Sequence, residues 1–487
     1  MVQKNKKFKI ILINPPLSLE ERYGRDLKRF GAISEPLGLA YLAASLEKQS
    51  FQVAIMDCLA LKFDIGLTVE KLRLINPDLI GITVLTPMYV IVKRLAEKLK
   101  ENLPECKIVI GGAHPTALPK ETLLEIRSVD FVCIGEGEKT IVELSNYLLV
   151  GGKKEEIAGL AFRGPTNEVI INKHRIFEAD LDSIPPPARQ LLPMQKYHLT
   201  ASRVKDSQYC PTLIIARGCP FNCAFCSHPF GRSFRHHSVR RIISEIKSLI
   251  KNYHVKQLNF EADTLTVDKN FLFSLCQALI DERINQTISW TCESRINTVD
   301  RSLLEKMKEA GCWQISYGIE SGNQHLLDII NKGITLDEIR RTIALTKEIG
   351  ITVRGFFMLG LPTETLQESW QTINFAKELD PLWAQFTIMI PYPGTPLFDR
   401  LKKKNKIRHF NWSEYNTWSG WTDKQLPYMP ENREEKELKR LQRQAMVNFY
   451  LRPKIIIKFM LQLNSFESFK KYFRGFITLI KSKLIYR

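Results

Sequence analysis

Short apolar runs alternate with stretches of helical periodicity along the first third of the chain. FKIILINPP leads into GLAYLAASLEKQS and then FQVAIMD; DLIGITVLTP leads into YVIVKRLAEKLKENL and then CKIVIGG; FVCIGEGE leads into TIVELSNYLL. Apolar runs flanked on both sides by helices are strands buried on both faces, so residues 1–150 read as a doubly wound, Rossmann-like α/β domain with a parallel sheet. Ligands of such sheets sit beyond the carboxyl ends of the strands. Those ends are Asn14-Pro15-Pro16, Thr83 to Pro87, Gly111-Gly112-Ala113-His114 and Gly135-Glu136-Gly137-Glu138. Glycine at such ends lets a large ligand approach the backbone.

Helical periodicity then stops. Over residues 151–204, IAGLAFRG and EVIINKHR alternate around PTNE, which predicts a hairpin, and SIPPPAR forces extended backbone. This segment reads as a connector without chemistry of its own. Residues 205–400 return to strand and helix: TLIIARG, QLNFEAD, ISWTCESR, CWQISYGIES, TVRGFFMLGLP and FTIMIPYPG, with helices such as RRIISEIKSLIKNY, SLLEKMKEA and IRRTIALTKEI between them. Six β/α units predict a partial TIM-like (β/α)6 barrel, with active-site residues at the carboxyl ends of its strands. Residues 401–487 read as a basic, mostly helical region.

With 487 residues and 44% apolar composition the chain can bury several cores, and global disorder is excluded. MVQKNKKFK runs into a strand without the long apolar segment of a signal peptide, and no uninterrupted apolar stretch approaches the roughly 18 residues of a membrane span. Ten mostly scattered cysteines then suggest reduced thiols in the cytoplasm. Charge is uneven: residues 401–487 hold 20 Lys+Arg against 7 Asp+Glu, so most of the formal +18 belongs to this region. No RNA-binding motif accompanies it, and no nucleic-acid partner is expected. In residues 451–487, Phe466, Phe469, Phe473 and Phe476 form one helical stripe, with Lys470, Lys471 and Arg474 on neighbouring faces. The stripe has two readings: a C-terminal helix docked on another domain, or peripheral contact with the inner, anionic membrane surface.

The first domain lacks GxGxxG after its first strand, which argues against a dinucleotide, and lacks a Walker A motif. Chemistry concentrates instead in residues 217–228, RGCPFNCAFCSH. Cys219, Cys223 and Cys226 are soft ligands, suited to zinc or to an iron–sulfur centre. A zinc knuckle needs a fourth ligand, but Cys210 stands alone upstream, no second CxxC exists, and His228 crowds Cys226. Three thiolates with one open metal position fit a catalytic site better.

C-x3-C-x2-C after TLIIARG resembles the radical S-adenosylmethionine superfamily. The resemblance implies that Cys219, Cys223 and Cys226 hold a 4Fe–4S cluster whose fourth iron is chelated by S-adenosylmethionine, and that one electron from the cluster cleaves the sulfonium. It implies cofactor contacts for Phe225 beside the cluster and adenine, and for Glu261 and Asp263 at the amino group. It also implies them for Arg295 at the carboxylate, Glu320 and Ser321 at the ribose and amino-acid portion, and Gly360 beside adenine. NPP, EPLGLAYLAASL, GGAHPT and GEGE resemble the cobalamin-binding domain that precedes many of these barrels, which implies cobalamin contacts at Thr83, Gly111, Gly112, His114, Gly135 and Glu136. The DxHxxG motif that supplies an axial imidazole is absent, and His114 reads as a hydrogen-bonding wall residue.

The chain as a whole is similar to the branch containing anaerobic magnesium-protoporphyrin IX monomethyl ester cyclase and cobalamin-dependent radical methyltransferases. That implies an oxygen-sensitive enzyme that methylates, cyclises or oxidises an unactivated carbon. It further implies a small-molecule, lipid or tetrapyrrole substrate and a reducing partner such as flavodoxin or ferredoxin. No general acid or base is assigned. Two alternatives are a radical tRNA methylthiotransferase, for which Cys58, Cys106 and Cys133 lack the motif contexts, and a zinc-binding regulator with a receiver-like domain.

Overall fold

The computed structural model describes residues 8–205 and 209–461. Strand β1 (Lys9–Asn14) pairs in parallel with β2 (Gln52–Asp57) on one side and β3 (Leu79–Thr83) on the other, and β4 (Lys107–Gly111) and β5 (Phe131–Cys133) continue outward from β3. Ile10, Leu12, Ile13, Ile80, Ile82 and Ile110 are buried between helices on both faces, as continuous apolar runs require. The order β2-β1-β3 reverses the direction in which the chain adds strands. Connections therefore leave β1 and β3 toward opposite faces, and the crevice for a ligand opens between their carboxyl ends.

Three-residue β5 would leave a bare edge. Strands β6 (Leu160–Arg163) and β7 (Val169–Ile171) add to it antiparallel, so the hairpin of the connector completes the first sheet and covers the unpaired backbone of β5. The connector proper begins after this hairpin. One of its arginines joins the two halves of the molecule: Arg189 lies 3.7 Å from Glu35 of the first domain and 3.1 Å from Glu245 of helix Val239–Tyr253, all three buried. Tyr209 also donates its hydroxyl to Glu35.

Beyond the connector, β8 (Thr212–Ile214) is followed by a small ribbon of β9 (Ala216–Arg217) and β10 (Arg235–His236). Strands β11 (Gln257–Glu261), β12 (Ser289–Ser294), β13 (Cys312–Glu320), β14 (Thr352–Leu359) and β15 (Trp383–Ile388) then join β8 in chain order, all parallel. This is the six-unit open barrel. Its strands alternate: Leu258, Phe260, Trp290, Cys292, Ile315, Tyr317, Val353 and Phe357 are buried under the outer helices, while the residues between them face the lumen.

After β15 the chain crosses both domains. Asn416 donates to the carbonyl of Arg22 at 2.7 Å, Trp418 lies 5.9 Å from Tyr23, and helix Glu435–Tyr450 returns to the barrel, where Gln442 donates to the carbonyl of Phe386. Phe459 packs 4.7 Å from Trp383, so the start of the tail docks on the barrel. The aromatic stripe of residues 466–476 lies outside the described residues. Among the described residues no helix is long and apolar enough to cross a membrane.

The bend after β14 holds a buried acid. Glu364 accepts from the Leu361 amide and the Ser369 hydroxyl, both at 2.6 Å, and burial pushes its carboxyl up to about 7. A carboxyl raised on folding contributes stability that is complete below its unfolded value and is lost as pH rises through the folded one. The melting temperature should therefore fall between about pH 5 and pH 8, and Glu364→Gln should reduce that fall in scanning calorimetry.

Candidate active site

The segment bearing the three cysteines is a long hairpin closed at its base by the pairing of Arg217 with Arg235. Gly218 opens it at φ +88°, where a Cβ would lie 2.1 Å from the Ser233 carbonyl, so only glycine fits. Asp263 accepts from the Gly218 amide at 2.7 Å. The middle of the loop is pinned from both sides: Ala224 donates to the Ile330 carbonyl and accepts from the Leu397 amide, each at 2.8 Å. A turn from the Cys223 carbonyl to the Cys226 amide at 3.2 Å brings these two residues together. Cys219 Sγ lies 3.6 Å from the Thr264 hydroxyl.

Two buried cations face the thiols. Arg295 Nη1 donates to Cys223 Sγ at 2.9 Å, its guanidinium lies 4.0 Å from the Phe221 ring, and another of its nitrogens donates to the Lys332 carbonyl. Lys332 Nζ binds Glu320 Oε1 at 2.8 Å and stands 5.5 Å from the Phe225 ring. The hydrogen bond from Cys226, with Lys332 and Arg295, pulls the Cys223 thiol down against the effect of burial, while Cys223 and burial push Cys226 up. Thiolate is the form that binds metal, so two cations over a thiol pair suit ligation. Among the described residues no three His, Cys, Asp or Glu side chains converge on a single point; three thiols on one loop are a soft donor set of the kind that holds an iron–sulfur cluster.

The other expected contacts divide. Glu320 ends β13 after a register shift, at φ +69°, held there by Lys332. Glu261, at the end of β11, is open to solvent although protein encloses it, which places it in the barrel mouth; burial and Glu293 push its carboxyl up. Phe225, Arg295, Glu320 and the cysteines thus share one neighbourhood. Ser321 does not join them: its hydroxyl bonds Thr372 at 3.1 Å and accepts from the Asn323 amide, turned toward helix Leu366–Leu379. Gly360, at φ +80°, faces Leu438 of the C-terminal helix, where a Cβ would meet it at 2.7 Å. Asp263 serves the base of the cysteine loop.

In the first domain, Thr83 and Gly111 close β3 and β4, and Gly112 has φ +109° with the Val84 carbonyl 2.8 Å from a would-be Cβ. Its glycine is therefore required by the backbone crossing itself. Gly135, at φ +76°, donates to the Thr116 hydroxyl. His114 is buried 4.5 Å from Tyr89 and 4.9 Å from Trp412, with Nδ1 3.2 Å from the Thr86 hydroxyl; burial lowers its imidazole to about 4. It is a neutral wall residue. A cavity of about 760 Å³, within the range of cofactor sites, opens at the carboxyl ends of β1 and β2, lined by Pro16, Leu17, Cys58, Phe63, Ile91 and Arg94 among others. None of the six expected cobalamin contacts lines it.

Glu136 has another task. It lies 3.1 Å from Arg217 and 3.0 Å from Arg235, while Glu138 lies 2.6 Å from Arg217, so the loop after β5 grips the base of the cysteine loop. Arg217 and Lys332 were not anticipated. Each is a lone basic residue beside a motif, and nothing in its spacing marks it. Of the polar residues facing the barrel lumen only Glu261 was anticipated; Asn259, Glu293 and Arg354 were missed, although the alternation in QLNFE and TVRGFFM carries their signal.

The chain matches the Radical SAM superfamily over residues 213–376 and the B12 binding domain over residues 27–145. It is 36% identical over 479 residues to an uncharacterized methyltransferase of Pyrococcus horikoshii, covering 97% of this chain and 98% of that protein. It is 28% identical over 390 residues to the anaerobic magnesium-protoporphyrin IX monomethyl ester cyclase of Rubrivivax gelatinosus, covering 78% and 68%. Its fold is similar to the radical S-adenosylmethionine methyltransferase TsrM of Kitasatospora setae, solved with cobalamin and a 4Fe–4S cluster, at a TM-score of 0.70 with 14% identity over 92% of this chain and 90% of that one.

Anaerobic reconstitution should load about four iron and four sulfide per chain. Cys223→Ala should lose most of the charge-transfer absorbance and form no 5′-deoxyadenosine; one tight zinc per chain would reject the assignment.

Proposed function

Because the chain belongs to the cobalamin-dependent radical S-adenosylmethionine methyltransferases and cyclases, we propose that it methylates an unactivated carbon of a small molecule held between its two domains. The observation that carries this reading is the grip of Glu136 and Glu138 on Arg217, two residues before Cys219. It brings the loop at the ligand end of the first sheet against the base of the cysteine loop, which supports one substrate reached from both domains. The name of the Pyrococcus relative favours methylation over cyclisation.

When bound, the cluster supplies the electron that cleaves S-adenosylmethionine, and cobalamin supplies a methyl carrier. The chain's own residues bind and orient. Cys219, Cys223 and Cys226 act as thiolates under Arg295 and Lys332, which balance their charge. Glu261, enclosed in the mouth, would take the cofactor's amino group, whose positive charge favours the carboxylate. Arg295 would stand beside the cofactor carboxylate while it holds the Cys223 sulfur. Glu320 is presented by Lys332 and by its positive φ toward the ribose side. Phe221 and Phe225 keep water from the loop. At the first domain's strand ends, Thr83, Gly111, Gly112 and Gly135 would give a bound corrin a backbone wall, with His114 packed behind them.

The electron enters from a protein donor with an acidic face. Helix Pro396–Lys403 starts at the Leu397–Ala224 hydrogen bond, between two cluster cysteines. Arg400, Lys402, Lys403 and Lys404 on it are exposed and make no ion pair among the described residues. At 1.5 Å per residue they lie on the order of 10 Å from the loop, where a cationic patch steers an acidic partner.

Two experiments follow. Anaerobic turnover with methyl-labelled S-adenosylmethionine and a cell extract should place label in a small-molecule fraction. Formation of 5′-deoxyadenosine stimulated by extract without label transfer would replace methylation by oxidation or cyclisation. In Arg400→Glu/Lys403→Glu, the ratio of flavodoxin-driven to dithionite-driven cofactor cleavage should fall about tenfold, with a weaker salt dependence; an unchanged ratio would remove the patch from electron delivery.

A further inference from the structure

The lumen of the barrel is polar. In register across it stand Glu293 of β12, Ser316 of β13, Arg354 of β14 and Trp383 of β15. Asn259 and Glu261 of β11 face the same way, and Gln385 of β15 stands one rung nearer the mouth. Glu261 is open to solvent there, and Glu293, Phe356, Met358, Trp383, Gln385 and Thr387 are half-buried. Partly exposed side chains therefore run from the mouth down to the rung of Arg354, where Glu293 and Trp383 stand.

Arg354 is 6% exposed and makes no ion pair among the described residues. Nη2 donates to Gln385 Oε1 at 2.6 Å, the guanidinium lies 4.7 Å from the Phe356 ring, and Nη1 is buried with no hydrogen-bond partner among the described residues. The nearest acid on its rung, Glu293, is taken by Arg203 of the connector. Burial, reinforced by Arg203 and only partly offset by Glu293, lowers Arg354 to about 9. An uncompensated guanidinium in a protein interior is strongly unfavourable and is normally paired. A fold that served stability alone would place an apolar residue on this rung; an idle cation at the bottom of a solvent-reached lumen is what an incoming anion requires.

We propose that the floor of the barrel is the binding site for an oxyanion of the substrate, a carboxylate or a phosphate, held by Arg354 with Gln385 beside it. This inference rests on the methyltransferase reading and names its substrate class. The anionic end lies deep, between β14 and β15, and the reacting carbon points up toward the mouth, where Glu261 and the cysteine loop lie. Arg203, already neutralised by Glu293, closes the side of the site and leaves the charge of Arg354 unmatched until substrate enters. Neutral substrates leave that guanidinium dry and unpaired, so the floor selects against them.

The test uses the reconstituted full chain, methyl-labelled S-adenosylmethionine and whole-cell extract. Label from the wild type should be retained on an anion exchanger at neutral pH, and phosphatase treatment distinguishes a phosphate from a carboxylate. Arg354→Met should lower the labelled product about 30-fold or more, with wild-type iron content, and Arg354→Lys should recover part of it. Arg354→Met without substrate should also melt higher than the wild type, by about 2 °C, because it removes an unpaired buried charge. Labelled product that passes the exchanger as a neutral species, wild-type yield from Arg354→Met, or a lower melting temperature for that variant would each overturn the floor site. Labelled product absent from every wild-type fraction would defeat the methyltransferase reading itself, and the site with it.

Discussion

The architecture depends on one buried guanidinium. Arg217 is clamped by Glu136 and Glu138 and covered by the rings of Tyr41 and Phe230, each 5.3 Å away. Its neighbour Gly218 has no room for any side chain, and Cys219 follows at once. Two carboxylates from one domain thus fix the first residues of a loop belonging to the other. Arginine suits this task because its planar fork can meet two acids and stack on aromatic rings together, which a lysine cannot. Breaking such a buried network by removing one partner leaves the others unpaired, which costs several kcal/mol. The relative placement of the two ligand-bearing ends is therefore stiff where it matters and is not left to a linker.

Charge elsewhere in the interior is handled in two ways. Around Arg189, Glu35 and Glu245 oppose one cation between two acids, and the group is closed to solvent. Around the cysteine loop and in the barrel lumen the matching is incomplete among the described residues: Arg295 leans on a sulfur, Glu261 accepts from Asn259, and Arg354 donates to Gln385 without a carboxylate hydrogen-bonded to it. The first kind of group holds domains together. The second kind is unfinished without ligands, which is the usual relation between a stable scaffold and a working site.

Much of this was legible in the amino-acid order. Continuous apolar runs between helices marked the first parallel sheet, alternating strands between helices marked the barrel, and C-x3-C-x2-C located the loop that the fold presents beside Arg295 and Lys332. What escaped was set by tertiary contact. Whether Ser321 faces the site or Thr372 depends on a register shift at Gly318. Glu136 sits in a glycine-rich strand end yet serves two arginines some 80 and 100 residues away in the chain. The hairpin after residue 150 looked like a linker, since only the shortness of β5 shows why the sheet needs it.

The strap formed by residues 409–421 has a consequence for how the protein matures. Trp412 seals His114 and Tyr89, and Asn416 holds the Arg22 carbonyl across a separation of 394 residues. A nascent chain leaving the ribosome can form the first sheet early, but it cannot close that sheet's ligand end until the whole barrel has been synthesised. During that interval the carboxyl ends of the first sheet's strands stay uncovered, and the strap closes over them last.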